Sequence, residues 1–492
     1  MRLTYNEIAA RLGLSALESD IVLTAAVTDS REAAPGALFV CIPGSRVDGH
    51  DFVPAAVQLG ASAVLASKDL PQAGVPVLVV EDTVKALGVI GGMWRDKTRA
   101  RVVGVTGTAG KTTLKEVLAQ VLSVRGKTAK NALNNNNQIG MPRAMLATDG
   151  DEDFWVMEAG ISHEGDMEEL SSVMRPDIGL ILNVGAGHTE GLGSKGVAWH
   201  KTRLLTNLAP NGIGLVCADY PDLVREARAT GAELHFFSAA SKAVEYRASY
   251  AGPAPEQTKS AAEAHPAGIA AASNVVSTES HDDRRGLYHL WLDGVRCDVT
   301  APFRGEYGAE NVIAVAAAAH LLGLSNAEIA QGLAQSELPV QRFNQTRVGK
   351  WLLVDDTYNA NPLSMRRMLD AAAERAAGRL FVPVLGEMLE LGPQAAEEHE
   401  ALGKHLAELK PSAIFWKGGH GESIRAGLTC GGYTGPWFEV YDAAAFAAAW
   451  TQLMHGHFAE NKTGGVALFK GSRGNRLECL LQTLTEPDAV RG

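Results

Sequence analysis

Apolar positions along the chain fall into short continuous runs separated by Ala-rich stretches of helical period, and the character of the runs changes along the chain. In residues 1–99 the runs are brief: 38–42 (LFVCI) and 77–80 (VLVV) read as strands and 53–59 as a helix. From residue 101 they lengthen, at 102–105, 154–158 and 178–184, and between the first two Leu114, Val117, Leu118, Val121 and Leu122 recur on one helix face. Buried strands alternating with helices predict a parallel, doubly wound α/β sheet, whose ligands bind where the strands end at their carboxyl edge. Residues 239–285 break the pattern. Rich in Ala, Ser, Pro and polar residues and without periodicity, they are expected to form a surface insertion with no catalytic role. Order returns with a strand at 287–292 and a helix over 311–322. A further α/β unit follows, with strands at 351–354, 380–385, 413–416 and 466–469. The expected organisation is three α/β units, 1–99, 100–337 and 338–492.

Composition narrows the class. At about 150 residues per domain, 492 residues agree with three domains. Lys and Arg number 45 against 56 Asp and Glu, a net charge of −11, which argues against a non-specific nucleic-acid or anionic-membrane binder. The five cysteines (Cys41, Cys217, Cys297, Cys430, Cys479) are scattered singly, as reduced thiols of a cytosolic protein would be. The opening MRLTYNEIAARLG lacks the form of a signal peptide, and no run of 18 apolar residues occurs. A cytoplasmic enzyme of several domains is expected.

The sharpest chemical signal is 104–113, GVTGTAGKTT, between a strand and a helix. Gly107, Thr108 and Gly110 would let backbone N–H groups wrap phosphate oxygens, Lys111 would meet the β- and γ-phosphates, and the hydroxyl of Thr112 could hold Mg²⁺, with Thr113 beside it. Standard P-loop spacing puts a glycine at 105, where this chain has valine, so the loop is a variant. Glu158 closes one of the following strands and His188 follows another; on the same sheet edge, both could join Thr112 around a cation. Lys201, opening a helix, reads from its surroundings as a solvated lysine. In the third unit, 351–362 (WLLVDDTYNANP) runs from a strand into a polar loop suited to a ribose and a polar acceptor. Residues 469–476 (FKGSRGNR) place three cations after another strand, where they could face a phosphate.

With these motifs in view, the chain resembles the Mur ligase family, and within it the MurF type. The resemblance rests on Asp29-Ser30-Arg31 with Asp48-Gly49-His50, the Gly-Thr-x-Gly-Lys-Thr-Thr loop, residues 134–142, 356–362 and 470–476, and the stretch 385–392 (LGEMLELG). It implies a UDP-sugar-binding domain, a central ATPase and a Rossmann-like domain that brings the incoming amino compound, acting as a monomer. Ser30, Arg31, Asp48, Gly49 and His50 would then serve the UDP-sugar. Lys111, Thr112, Glu158 and His188 would serve ATP and two Mg²⁺, and Lys201 would carry a carbamate that holds the second metal; Lys111, His188 and Lys201 would be the catalytic set. Asn311, Arg342 and Asp356 would contact the nucleoside, and Tyr358, Asn359, Asn361 and Lys470 the acceptor. Two departures stand out: the run Asn134-Asn135-Asn136-Asn137, where relatives carry fewer asparagines, and Gln341 before Arg342, where they commonly carry glycine.

The resemblance further implies activation of a UDP-MurNAc-tripeptide carboxylate as an acyl phosphate, then attack by the amine of D-Ala-D-Ala. MurE-type relatives that take diaminopimelate commonly read Asp-Asn-Pro-Arg at the acceptor loop; here it is Ala360-Asn361-Pro362-Leu363, without the guanidinium. The rival readings are a MurE-like or folylpolyglutamate-synthase-like ligase, a nucleotide-gated switch, and a P-loop kinase.

Overall fold

A computed structural model describes residues 1–492 except 45–46, 133, 186–191, 194, 241–242, 255–275, 278–284, 340, 462 and 487–492. Its first unit is a parallel four-stranded sheet in chain order, β1 (Ala25–Val27), β2 (Ala37–Val40), β3 (Ala63–Ala66) and β4 (Val77–Val79). Helix α1 (Thr83–Lys97), capped by Asp82, then crosses to lie on two helices of the middle unit, Gly140–Leu146 and Asp166–Met174. Leu38, Val40, Leu65 and Leu78 of the first sheet consequently share one buried cluster with Trp94, Val103, Leu118 and Trp155.

The middle unit is built on β5 (Arg101–Thr106), α2 (Lys111–Leu122), β6 (Thr128–Lys130), β7 (Phe154–Glu158), β8 (Ile178–Ile181), α3 (Gly196–Thr202), β9 (Ile213–Cys217) and β10 (Leu234–Ser238). Three further strands, β11 (Tyr246–Pro253), β12 (Gly286–Leu292) and β13 (Val295–Ala301), complete a nine-stranded sheet of order β13-β12-β11-β10-β9-β8-β5-β7-β6. The strands from β5 to β11 run parallel, and β12 and β13 are antiparallel. The chain reverses its winding at β5, between β7 and β8, so the loop after β5 opens at the switch point where such sheets bind ligands.

The expectation of a structureless 239–285 insertion is corrected at both ends. Strand β11 lies within it, with Tyr246 and Ala248 buried, and Val276–Ser277 pairs with the third sheet. The alternation of buried and half-buried residues at the start of β11 hides in a segment whose composition is dominated by its polar remainder, which averages the strand away. The rest of the segment lies largely outside the described residues. Helix α4 (Glu306–Leu321) starts five residues before the expected 311, because Gly308, a poor helix former, is packed so tightly that a Cβ there would stand 2.1 Å from the Tyr288 hydroxyl.

The third unit comprises β14 (Asn344–Val348), β15 (Trp351–Asp356), α5 (Pro362–Ala376), β16 (Leu380–Gly386), α6 (Ala395–Leu409), β17 (Ile414–Lys417), β18 (Trp437–Glu439) and β19 (Gly465–Lys470). Its order is Val276–Ser277, then β14-β15-β19-β16-β17-β18, parallel from β15 onward. Alternation along the strands sends Leu352, Leu385 and Ile414 to one core and Leu353, Phe415 and Phe469 to the other. The carboxyl ends of β15 and β19 face the P-loop.

Candidate active site

Strand β5 ends at Thr106 and α2 begins at Lys111, with Gly110 between them in the left-handed region (φ 81°). The loop is held from behind by Asn183, just past β8. Its side-chain oxygen accepts from Thr108 N (3.0 Å) and Ala109 N (2.8 Å), and its amide donates to Ala109 O (3.0 Å). Lys111 is half-buried and donates to Thr108 O at 3.4 Å; burial lowers its pKa, while the Glu158 carboxylate opposes that shift.

Glu158 is 1% exposed. One oxygen accepts from Asn136 Nδ2 (2.8 Å), whereas Oε2 is buried without a hydrogen-bond partner and lies 3.9 Å from Lys115 Nζ. A buried carboxylate oxygen without a hydrogen-bond partner, in the same cleft as the P-loop Thr112, is what a divalent cation would satisfy. The backbone of Glu158 is fixed by Asn131, which accepts from its N–H (2.9 Å) and donates to its carbonyl (3.0 Å). Lys201, on α3, is 3% exposed, which corrects its reading as a solvated lysine. Burial, with the Lys111 charge adding to it, holds its pKa well below the ordinary lysine value, against the pull of Glu158. His188 lies outside the described residues.

From the third unit, Arg342 donates to the Thr112 hydroxyl (3.4 Å) and stacks over the Tyr358 ring at 4.3 Å. Gln341 and Phe343, flanking it, both have left-handed φ (58° and 56°), so the position where relatives carry glycine is one that glycine would relieve. Asn361 caps α5 through Ser364 N and donates to Thr108 O at 3.1 Å. Asn359 is spent locally, its side chain accepting from Ala360 N.

Two spaces meet here. A cleft of about 1510 Å³ is lined by Lys111, Thr112, Asn134, Asn136, Glu158 and Arg342, and across from them by Tyr358, Asn359, Asn361, Leu389, Ser472 and Arg473. A cavity of about 770 Å³ lies on the other side of the P-loop, lined among others by Gly110, Thr113, Tyr307, Asn311, Phe343 and Asp356. The side-chain oxygen of Asn311 is buried there without a partner, which suits a ligand amino group. Lys470 belongs to this cavity and not to the acceptor side where it was expected. Its buried ammonium donates to Asp356 (2.5 Å) and to Asn359 O (2.9 Å), so it ties β19 to the loop after β15.

The first-unit residues stand apart from the cleft. Asp29 caps the turn at Ser30–Glu32 and pairs with Arg31, which holds its pKa down to about 2; Ser30 is buried and Arg31 exposed. Asp48 accepts from His50 N and bonds the ring Nδ1 (2.5 Å), while Nε2 accepts from Ser67 N (3.0 Å). Both nitrogens of His50 are engaged, so it braces its loop instead of offering a free ligand contact. Gly49 admits no side chain, since a Cβ would stand 2.6 Å from Ile42 N. A crevice of about 910 Å³ joins this unit to the asparagine run, lined by Glu32, Lys130, Asn135 and Arg143, with Arg143 paired to Glu32 at 2.6 Å.

Sequence reasoning missed Asn183, Asn136 and Ser472. Asn183 carried a signal, as the one polar side chain closing an apolar strand. Asn136 could not be told from its neighbours until Glu158 was seen beside it. Ser472, which accepts from Leu389 N at 2.9 Å, couples two loops distant in sequence.

Comparison with known proteins agrees with this arrangement. Residues 24–95 match the Mur ligase family catalytic domain, 105–319 the Mur ligase middle domain and 341–473 the Mur ligase glutamate ligase domain. The UDP-N-acetylmuramoyl-tripeptide–D-alanyl-D-alanine ligase of Escherichia coli is 34% identical over 78% of this chain and 79% of its own length; that of Bacillus subtilis is 28% identical over 94% of each. A crystal structure of MurF from Acinetobacter baumannii superposes with a TM-score of 0.82 at 27% identity over 99% of both chains. MurF ligase from Thermotoga maritima, in complex with ADP, gives 0.78 at 25% over 95% of this chain and 98% of that one. By sequence over most of its length and by fold over nearly all of it, this chain belongs to the Mur ligase family, on its MurF branch.

Proposed function

We propose that this protein joins D-alanyl-D-alanine to UDP-N-acetylmuramoyl-tripeptide, with ATP converted to ADP and phosphate, in the synthesis of a peptidoglycan precursor. The observation that carries the reading is the single cleft in which a P-loop lysine and a buried, partly unpaired carboxylate of the middle unit face the Tyr358–Asn361 loop and Ser472–Arg473 of the third. That arrangement supports a phosphoryl site, an acid site and an amine site along one solvent-accessible cleft.

A carboxylate and an amine do not condense efficiently in neutral water without activation. A tripeptide carboxylate oxygen attacks the γ-phosphorus and ADP leaves; the neutral amine of the dipeptide attacks the acyl carbon, the amine proton is released and phosphate departs. Lys111 and those N–H groups of the loop that Asn183 does not occupy neutralise and orient the transferring phosphoryl. Glu158 and Thr112 would hold Mg²⁺, which supplies charge neutralisation at that phosphoryl. Lys201 suits carbamylation, because burial favours the free amine, the form that adds CO₂; the carboxylate so made would offer a second cation site. Docking of the third unit on the P-loop excludes water that would hydrolyse the acyl phosphate.

Leu363 supports the choice of dipeptide over diaminopimelate, since a desolvated carboxylate lacking its guanidinium typically loses about 2–5 kcal/mol. No described helix is long and apolar enough to cross a membrane. From the resemblance to the MurF type we propose a cytoplasmic monomer. The test is mass spectrometry of products from UDP-MurNAc-tripeptide, ATP and an equimolar mixture of D-Ala-D-Ala, diaminopimelate and lysine. The UDP-MurNAc-pentapeptide with stoichiometric ADP and phosphate is expected. Preferential uptake of one diamino acid would move the protein to the MurE type; a phosphorylated product or amine-independent ATP hydrolysis would make it a kinase or a switch.

A further inference from the structure

Behind the P-loop, on the side away from the cleft, lies a buried charge pair that the chemistry above does not use. Arg367 of α5 meets Glu310 of α4 in bidentate fashion, Nη1 to Oε1 at 2.9 Å and Nη2 to Oε2 at 2.8 Å, with side-chain exposures of 13% and 6%. Tyr220 closes the group, donating to Glu310 Oε2 (2.9 Å) and accepting from Arg367 Nη2 (2.6 Å). The second lone pair of Glu310 Oε1 receives Asn183 Nδ2 at 2.7 Å, and Asn183 is the residue that holds the N–H groups of Thr108 and Ala109. From the opposite side Asn361, at the start of α5, donates to Thr108 O. The Thr108 residue of the P-loop is therefore bracketed, its N–H by the middle unit and its carbonyl by the third. On α5, Leu363, Arg367 and Asp370 share one face. Leu363 abuts Gly185, Arg367 takes Glu310, and Asp370 accepts from the Tyr307 hydroxyl.

We propose that Asn183, Glu310 and Arg367 form an interdomain latch that seats the acceptor loop on the P-loop, with Arg367 as its positioning residue. The two charges sit on different units. When the third unit lifts, both regain water; when it docks, each is desolvated and must find the other in bidentate register. The pair thus stabilises one docked geometry and penalises neighbouring ones. Through Asn183 that geometry is tied to the conformation of the phosphate-binding backbone. Cys217 and Asp219 stand beside Glu310, but the guanidinium already fills the position a cation would take in this group.

The inference rests on the nucleotide-binding part of the reading above and not on the identity of the acceptor, so its first test uses nucleotide alone. In small-angle X-ray scattering with a non-hydrolysable ATP analogue, the wild-type protein should fit the docked arrangement, and Arg367→Met should show a larger radius of gyration with an unchanged melting profile for each unit. In the ligation assay, Arg367→Met should lower kcat about 30- to 300-fold, more than it raises the KM of UDP-MurNAc-tripeptide. Arg367→Lys, which keeps the charge and loses the fork, should fall between the two. Because Arg367→Met strands a buried carboxylate, adding Glu310→Gln to it should recover about ten-fold. A radius of gyration for Arg367→Met equal to wild type, or additive losses in the double variant, would overturn the latch. Absence of ligation in the wild-type protein would instead overturn the functional reading and leave the scattering result standing.

Discussion

A lysine ammonium taken out of water must either find a counter-charge or give up its proton. Lys201 is buried, lies within electrostatic range of the Lys111 cation, and makes no ion pair among the described residues. Burial and the Lys111 charge both favour the free amine over the ammonium, and carbamylation would turn it into an anion facing the Lys111 charge. Lys201→Ala is expected to lower turnover about 10²–10³-fold, the range typical of removing one charge-stabilising group from a transition state. Wild-type activity should fall in CO₂-depleted buffer and return with bicarbonate, and a short carboxylate should partly rescue the variant. Normal turnover of Lys201→Ala in depleted buffer would reduce Lys201 to a buried structural amine.

Helices and strands carry two further predictions. In the third unit α6 is fastened to α5 by His405 Nε2 on Asp370 Oδ1 at 2.7 Å, and this bond raises the imidazole pKa above its usual 6.5. A raised folded-state value means that the stabilisation is complete below about 6.5 and disappears as pH rises through the folded-state pKa. His405→Gln should therefore lower the melting midpoint of the third unit at pH 5.5, by an amount corresponding to about 1 kcal/mol, and make little difference at pH 9; a difference independent of pH would mean that packing, not charge, is lost. The second prediction concerns the polar segment after β11. Replacing residues 255–275 with a short Gly/Ser linker should leave kcat within about three-fold, since that composition cannot build a core. Extending the deletion to 246–280 removes β11 and the pairing of Val276–Ser277 with β14, and should lower the melting midpoint by about 5 °C or more. A several-hundred-fold loss from the shorter deletion in a folded protein would reveal a catalytic role.

At the scale of the whole molecule, the three units are not equally independent. The first and middle sheets bury a common core through α1, whereas the third sheet has cores of its own on each face and touches the middle unit mainly through polar contacts from Arg342, Asn361, Arg367 and Asp370, with the short pairing of Val276–Ser277 on β14 and the Leu363–Gly185 contact beside them. A shared apolar core melts cooperatively, while a polar interface allows separate transitions. Calorimetry should resolve two transitions, one for residues 1–337 and one for the third unit, and a nucleotide bound between them should bring the two closer together. Three transitions, or a first unit that folds alone as residues 1–99, would contradict this.

Much of this was legible in the chain because local physics wrote it there. Apolar runs of strand length alternating with helical stretches required a doubly wound sheet, Gly110-Lys111-Thr112 after a buried strand required a phosphate site, and Leu363 in place of a cation bore on the acceptor. Other features depend on which residues meet across long sequence separations, and no local pattern encodes that. Lys201 has the local sequence of a solvated lysine and is buried because α3 folds against the helix Pro221–Arg228 and the turn Arg203–Asn207. Lys470 looks like a phosphate ligand until Asp356, 114 residues away, takes its charge. His50 looks like a ligand until Asp48 and Ser67 occupy both its nitrogens. Arg367 and Glu310 carry no motif at all, and their importance exists only in the docked molecule, where two charges must leave water together.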